Sequence, residues 1–118
     1  MRWLKSMLNN VDKNTDKPLE EHAIIITLDG TSLPSDVYEQ YDTVTLEEQL
    51  SEALGNLAEC DGAEHGDRET RIYLYGSDAE AMFKAVEPIL LAYPLAASAH
   101  VALRFGSPGA PQRAVRLP

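Results

Sequence analysis

The spacing of apolar positions divides most of the chain into segments with two different periods. Residues 22–28 alternate with period two and are apolar on both faces, which predicts a strand inside a sheet. Residues 100–105 predict a second strand, and residues 113–117 predict a short last one. Residues 46–54 and 79–90 instead repeat at helical spacing, with one apolar stripe each. The pattern therefore predicts strands and helices in alternation.

Each predicted helix is preceded by a start signal. Thr45, followed three residues later by Glu48, has the capping-box spacing and predicts the start of the first helix. Ser77 and Glu80 repeat that spacing before the second helix. Pro88 lies on the polar side of the second helix, so we expect a bend there and not an end.

Two segments predict loops and turns. Residues 55–76 carry glycines at 55, 62, 66 and 76 between stretches of alternating polarity. This pattern predicts a β-hairpin, with strands near 56–61 and 70–75 joined by a long polar loop. Residues 31–42 predict a connection with a turn at Leu33-Pro34-Ser35-Asp36.

The order of these elements predicts an α+β fold. Strand, helix, strand, strand, helix, strand is the order of a ferredoxin-like βαββαβ sandwich, here with an extra C-terminal strand and a short N-terminal helix. Residues 1–21 are expected to form a helical extension that docks on the domain, and residues 22–118 a single α+β domain. Both main helices would cover one face of the sheet. The predicted inward-facing residues are Ile24, Ile26, Leu28, Ile72, Leu74, Val101, Leu103 and Phe105.

The opposite sheet face is predicted to be open and rich in tyrosine and arginine, which protein interfaces favour. We interpret it as a surface for a protein partner or for dimerisation. Nucleic acid is the alternative that aromatic side chains on such a sheet suggest, but Ile72 stands where the RNA-binding signature has glycine. A further alternative is that the terminal segments cover the face. The predicted binding residues are Arg71, Tyr73, Tyr75, Arg104 and Arg116.

Charge is distributed unevenly along the 118 residues, whose net charge is −9. Residues 29–69 hold twelve acids and one base, a local balance of −11, whereas residues 101–118 hold three arginines and no acid. The acidic part would repel nucleic acid and favour a basic partner, and Glu47, Glu48 and Glu52 form its predicted acidic patch. The alternative is that these acids only keep the protein soluble. No apolar run approaches the roughly 20 residues of a membrane span, so no membrane partner is expected.

The predicted hairpin loop holds the densest group of reactive side chains. Asp61, Glu64 and His65 could bind a divalent metal, although their spacing matches no familiar metal motif. Cys60 with His65 could form a thiolate pair, but a lone strand cysteine also occurs as a small core residue. We therefore expect no cofactor and a solvated loop. A single cysteine permits no internal disulfide, which fits a cytoplasmic protein.

Two stretches carry a resemblance to a family. Cys60-Asp61-Gly62-Ala63-Glu64, followed by Tyr73-Leu74-Tyr75-Gly76-Ser77-Asp78-Ala79-Glu80, resembles small bacterial proteins of unassigned function. Those proteins have an Asp-Gly-x-Glu turn followed by Tyr-x-Tyr-Gly-x-Asp-Ala. Here Cys60 replaces an expected aromatic residue, and Ser77 replaces an expected proline. The resemblance implies an α+β fold and no catalytic residues. In size, charge and element order the chain also resembles acidic bacterial ribonuclease regulators. This second resemblance is an analogy and carries over no functional residue.

These observations favour a non-enzymatic cytoplasmic protein-interaction module. The acidic balance of residues 29–69 suggests an inhibitor or immunity-type protein that binds a basic partner. The alternatives are a self-assembling domain, which would be a homodimer, and a small metal-dependent enzyme or binder that uses the hairpin loop.

Overall fold

The computed structural model describes residues 21–118, and the helix predicted within residues 1–21 lies almost wholly outside the described residues. The described part consists of three helices, one 3-10 turn and five strands. In chain order these are β1 (His22–Asp29), α1 (Ser35–Gln40), α2 (Thr43–Leu54), β2 (Ala58–His65), β3 (Glu69–Gly76), α3 (Ala79–Ala92), the 3-10 turn (Pro94–Ala96), β4 (His100–Arg104) and β5 (Gln112–Arg116).

The five strands form one antiparallel sheet in the order β2-β3-β1-β4-β5. The central strand β1 pairs with β3 on one side and with β4 on the other. The predicted α+β class is confirmed. The predicted last strand is present at one edge of the sheet, although it begins and ends one residue earlier than expected.

The core lies between one face of the sheet and helices α2 and α3. Seven of the eight residues predicted to face inward are buried, since period-two alternation places them on the helix-covered side. Phe105 differs: it lies one residue beyond β4, is half-buried, and places its ring edge-on against His22 at a centroid distance of 5.9 Å. The helices bury Leu46, Leu50 and Leu54 from α2, and Ala79, Met82, Phe83, Val86 and Leu90 from α3.

Aspartates, and not the predicted capping boxes, start the two long helices. The carboxylate of Asp42 accepts a hydrogen bond from the Thr45 N–H at 2.7 Å, so α2 begins two residues before Thr45. The carboxylate of Asp78 accepts one from the Ala81 N–H at 3.2 Å, so Ser77 is not the cap of α3. Both predicted starts were wrong, because a nearby aspartate satisfies the free N–H groups equally well. Helix α3 continues through Pro88, and no helix among residues 21–118 is both long and apolar enough to cross a membrane.

The segment predicted as a plain connection contains the short helix α1. It follows Pro34 and is held at its side by Tyr38, whose hydroxyl donates to the Asp29 carbonyl at 2.9 Å and accepts from the Leu33 N–H at 3.0 Å. A six-residue helix is too short to show a periodic pattern, so α1 could not be predicted from the spacing of apolar residues.

The hairpin also differs from its prediction. Strand β2 continues to His65, and the connection is reduced to residues 66–68, where the Gly66 N–H donates to the Glu69 carbonyl at 2.8 Å. The register shifts between Cys60 and Ala63, where Gly62 has a φ of +98°. Asp61-Gly62 is therefore part of a β-bulge and not of a turn, and the extra residue conceals the alternation of β2. The predicted hairpin is confirmed, but its first strand begins and ends later than predicted, and the long polar loop was wrong.

Candidate interaction surface

The sheet face that none of the described helices covers, here called the open face, has an apolar row across its middle. Strand pairing sets Tyr73, Ile25, Ala102 and Ala114 side by side on β3, β1, β4 and β5. Their side chains point away from the core, because side chains alternate along a strand and Ile24 and Ile26, on either side of Ile25, point into the core. The row is narrow. Most residues along its two sides are polar or charged, and the exception, Ala23, is fully buried between Tyr75 and Arg104.

Two stacked tyrosines occupy the β3 end of this row. The rings of Tyr73 and Tyr75 are nearly parallel, with an interplanar angle of 5° and a centroid distance of 6.4 Å. The Tyr73 hydroxyl donates to the Glu64 carboxylate at 2.9 Å, and this hydrogen bond is the main reason that the pKa of Tyr73 is raised. The hydrogen bond and the stacking hold the Tyr73 ring in one orientation, so little side-chain freedom would be lost on binding.

The three predicted arginines reach the same face from three strands. Arg71 pairs with Glu69 at 2.7 Å, and its pKa is raised first by the Tyr73 hydroxyl and then by the Glu69 charge. Arg104 donates through Nε to the Gly106 carbonyl at 2.8 Å. Arg116 is exposed and lies opposite His100 in the register. The structure thus brings all five predicted binding residues onto one face.

The open face divides into an acidic half and a basic half. Glu64 and Glu69 lie on the β2–β3 half, together with Glu59, which pairs with Tyr75 in the register. Arg71 lies there too but pairs with Glu69, so this half remains net negative. Arg104 and Arg116 lie on the β4–β5 half, 35 or more residues further along the chain than these glutamates. Both charge blocks are visible in the sequence, but their arrangement is not, because only the strand order places them at opposite ends of one surface.

The predicted acidic patch lies on the other side of the molecule. Glu48 and Glu52 are exposed and one helical turn apart on α2, which packs on the covered face of the sheet. Glu47 is half-buried, and its charge acts on the Cys60 thiol. The patch and the Tyr73–Tyr75 pair therefore cannot contact one flat partner surface at the same time.

The residues suggested for metal binding do not converge. Glu64 is on the open face with Tyr73, whereas the next residue, His65, lies opposite Thr70 and places Nδ1 3.3 Å from its hydroxyl oxygen. Asp61 is exposed within the bulge. Across residues 21–118, no three His, Cys, Asp or Glu side chains are grouped so that they could hold a metal ion.

Cys60 lies on the side of β2 that faces α2. It is half-buried, and burial is the main reason that its thiol pKa is raised above the ordinary value. Its register partner is Leu74, and that of His65 is Thr70. These partners are four residues apart on β3, a spacing of about 13 Å along a strand. A neutral thiol at that separation lacks the thiolate character that nucleophilic cysteines need.

A cleft of about 270 Å³ opens where β1 ends and β3 begins. Among its lining residues, Asp29 accepts hydrogen bonds from the Thr31 and Ser32 N–H groups, both at 2.9 Å. Such hydrogen bonds lower the pKa of Asp29, and the Thr45 N–H does the same for the pKa of Asp42. Both carboxylates therefore accept hydrogen bonds from main-chain N–H groups two or three residues further along the chain. The cleft could not be predicted from the sequence because Tyr38, in the unpredicted helix α1, forms one wall.

Comparisons with known proteins provide no template for this surface. No family model, no curated protein and no solved structure matches the chain. The resemblance to small bacterial proteins with a Tyr-x-Tyr-Gly-x-Asp-Ala stretch stays a prediction. Three of its residues have structural roles here: Gly62 forms the bulge, Gly76 lies against the Leu57 carbonyl, and Asp78 caps α3.

Proposed function

We propose that the chain is a non-enzymatic, cytoplasmic protein-interaction module that binds a basic protein, in the manner of an inhibitor or immunity-type protein. The observation that carries the proposal is the oriented Tyr73 ring, stacked on Tyr75 and hydrogen-bonded to Glu64, on the acidic half of the open face. The single, half-buried cysteine fits the proposed cytoplasmic location.

Two physical effects support a basic partner. The acidic balance of residues 29–69 produces a negative field that accelerates encounter with a positively charged protein. Once the two proteins are in contact, an oriented tyrosine beside carboxylates can pack against the stem of a lysine or arginine while Glu64 meets its charge. The field then governs the association rate, and the Tyr73 region governs the dissociation rate.

We also propose that the domain is a variant of the ferredoxin-like fold. The order β2-β3-β1-β4, together with two long helices packed on one face, supports this assignment. Helix α1 would then be an insertion between β1 and α2, and strand β5 an addition after β4. The open face in such a unit is accessible to partners because both crossover helices lie on the other side.

The test compares single substitutions that change the net charge equally on the two sides of the molecule. A partner is first captured from native cell extract on the immobilised full chain, eluted with salt, purified, and measured by surface plasmon resonance. We expect Glu48→Lys, on α2, to slow association only, with an effect that shrinks in high salt. We expect Glu64→Lys, on the open face, to slow association similarly and also to accelerate dissociation by tenfold or more.

Tyr73→Glu distinguishes the effect of the interface contacts from that of the electrostatic field, because it adds negative charge while removing the aromatic ring. The proposal predicts faster dissociation of the partner and no loss of association rate. A partner that dissociates equally fast from Glu48→Lys and Glu64→Lys would contradict an interface on the open face. Light scattering over a dilution series tests the competing self-assembly hypothesis, which requires a dimer that Tyr73→Glu abolishes.

A further inference from the structure

The outer edge of β5 presents main-chain hydrogen-bonding groups that no other strand among residues 21–118 pairs with. The Leu117 N–H donates to the Ala99 carbonyl at 2.9 Å, and the Phe105 N–H donates to the Pro111 carbonyl at 3.0 Å. These two contacts continue the register of β4 and β5 beyond both ends of β5. In an antiparallel pair, every second residue exchanges hydrogen bonds with its partner, so the contacts show which residues of β5 bond to β4. Its odd-numbered residues bond to β4, and its even-numbered residues direct N–H and C=O groups outward.

Three residues therefore form the available edge: Gln112, Ala114 and Arg116. Within the part of the chain that the structure describes, β5 is the last strand of the sheet and pairs only with β4. The strand is regular over its five residues and contains no proline. It therefore retains the features that allow another strand to pair with a sheet edge.

The opposite edge of the sheet lacks these features. Strand β2 is interrupted by the bulge at Gly62, where φ is +98°, and carries Glu59 and Glu64 on its open-face side. A bulge and a row of acids are two of the devices by which proteins prevent edge pairing. The contrast indicates that β5 is the edge suited to accept a strand.

Charge identifies the kind of strand that fits. No acid occurs from residue 101 to residue 118, and Arg104 and Arg116 lie on the open-face side of the edge. On the other side, Arg113 already pairs with Glu80 at 2.7 and 3.1 Å. Among the described residues, neither Arg104 nor Arg116 pairs with an acid. Pairing of two copies through this edge would bring four such arginines together, whereas an acidic strand would neutralise them.

We propose that an extended acidic segment of another protein adds to β5 as a sixth, antiparallel strand. Its main chain would bond to the N–H and C=O groups of Gln112, Ala114 and Arg116, and alternate carboxylates would reach Arg116 and Arg104. The small side chain of Ala114 leaves room for an apolar residue between those carboxylates. This site does not depend on the basic partner proposed above, which contacts the other half of the open face.

The test uses a designed probe, acetyl-Gly-Glu-Thr-Val-Thr-Glu-Gly-amide, added to the ¹⁵N-labelled full chain and followed by NMR. Two matched peptides serve as controls: one with lysine in place of both glutamates, and one with an N-methylated valine that cannot donate to Ala114. We expect the probe to shift the amide signals of Gln112, Ala114 and Arg116 and to slow their hydrogen exchange. Each control peptide should bind at least tenfold more weakly.

Substitution of the edge completes the test. Ala114→Pro removes an outward N–H without removing a bond to β4, so the domain should fold and bind the probe at least tenfold more weakly. Arg116→Glu reverses the charge without altering the main chain and provides the same readout if the proline variant fails to fold. Equal affinity for the lysine peptide, unchanged binding by Arg116→Glu, or peptide-induced shifts confined to other strands would overturn the proposal. Protection of the Ala114 amide that rises with protein concentration alone would assign the edge to a second copy instead.

Discussion

Gly76→Ala should destabilise the domain because β3 ends where three parts of the chain meet. A Cβ atom at this position would lie 2.5 Å from the Leu57 carbonyl oxygen, 2.9 Å from the Met82 sulfur and 3.0 Å from the Ala58 Cβ. The Met82 side chain can rotate away, but the Leu57 carbonyl belongs to the main chain that leads into β2. The alanine can therefore be accommodated only if β2 or β3 shifts.

The size of the effect follows from that geometry. Overpacking in a core costs about 1–3 kcal/mol, and a clash with main chain belongs in the upper part of that range. For a domain near 100 residues, 1 kcal/mol lowers Tm by roughly 4–8 °C, so 2–3 kcal/mol corresponds to a decrease of about 8–24 °C. Because φ at Gly76 is not positive, none of this loss comes from backbone strain at the residue itself.

Circular dichroism during thermal and urea unfolding provides the measurement. Gly66→Ala is the matched control: its φ is also not positive, and its Cβ would lie 3.2 Å from the Glu69 carbonyl oxygen alone. We expect the control to lose less than about 1 kcal/mol, since a shift of a few tenths of an ångström relieves that contact. Stability of Gly76→Ala within 0.5 kcal/mol of the wild type, or equal losses in both variants, would refute the reasoning.

Three further predictions concern titratable groups. The pKa of Asp42 is lowered in the folded state, so its stabilising effect is present above the unfolded value near 3.9 and disappears as the pH falls through the folded value. The difference in urea midpoint between the wild type and Asp42→Ala should accordingly shrink below about pH 4; a constant difference from pH 7 to pH 2.5 would contradict this. The raised pKa of Cys60 predicts slow alkylation by iodoacetamide at pH 8 that accelerates in urea, and equal rates in both conditions would show an exposed thiolate. The Glu64 hydrogen bond raises the pKa of Tyr73, so in Glu64→Gln one tyrosine should ionise at lower pH in an ultraviolet titration, and an unchanged titration curve would argue against that hydrogen bond.

Much of the fold could be predicted where a periodic pattern persists over several residues. Strand β1 and the apolar stripes of α2 and α3 are long enough for their period to be unambiguous. The β2 strand was misread because the extra residue at Gly62 changes the phase of its alternation halfway along. Helix α1 was missed because its stability comes from Tyr38 contacts with residues outside the helix and not from a pattern within it.

The candidate site could be predicted as a set of residues but not as a charge arrangement. Alternation along β3 suffices to put Arg71, Tyr73 and Tyr75 on one face. The separation of acidic and basic halves depends on β1 lying between β3 and β4, which no local pattern encodes. The same holds for the acidic residues of α2, because only the packing of the helix shows that they point away from the open face.

The central position of β1 has a consequence for how the protein is made. This strand is synthesised early, yet Ile26 pairs with Ile72, 46 residues later, and with Val101, 75 residues later. Contacts between such distant residues form slowly, because a long loop must close before they contribute any stability. During translation β1 can pair with β3 once residue 76 has emerged, but its other side stays unpaired until residue 104 has emerged. A chain that terminates before β4 would leave one side of that strand unpaired and should aggregate or be degraded in the cell.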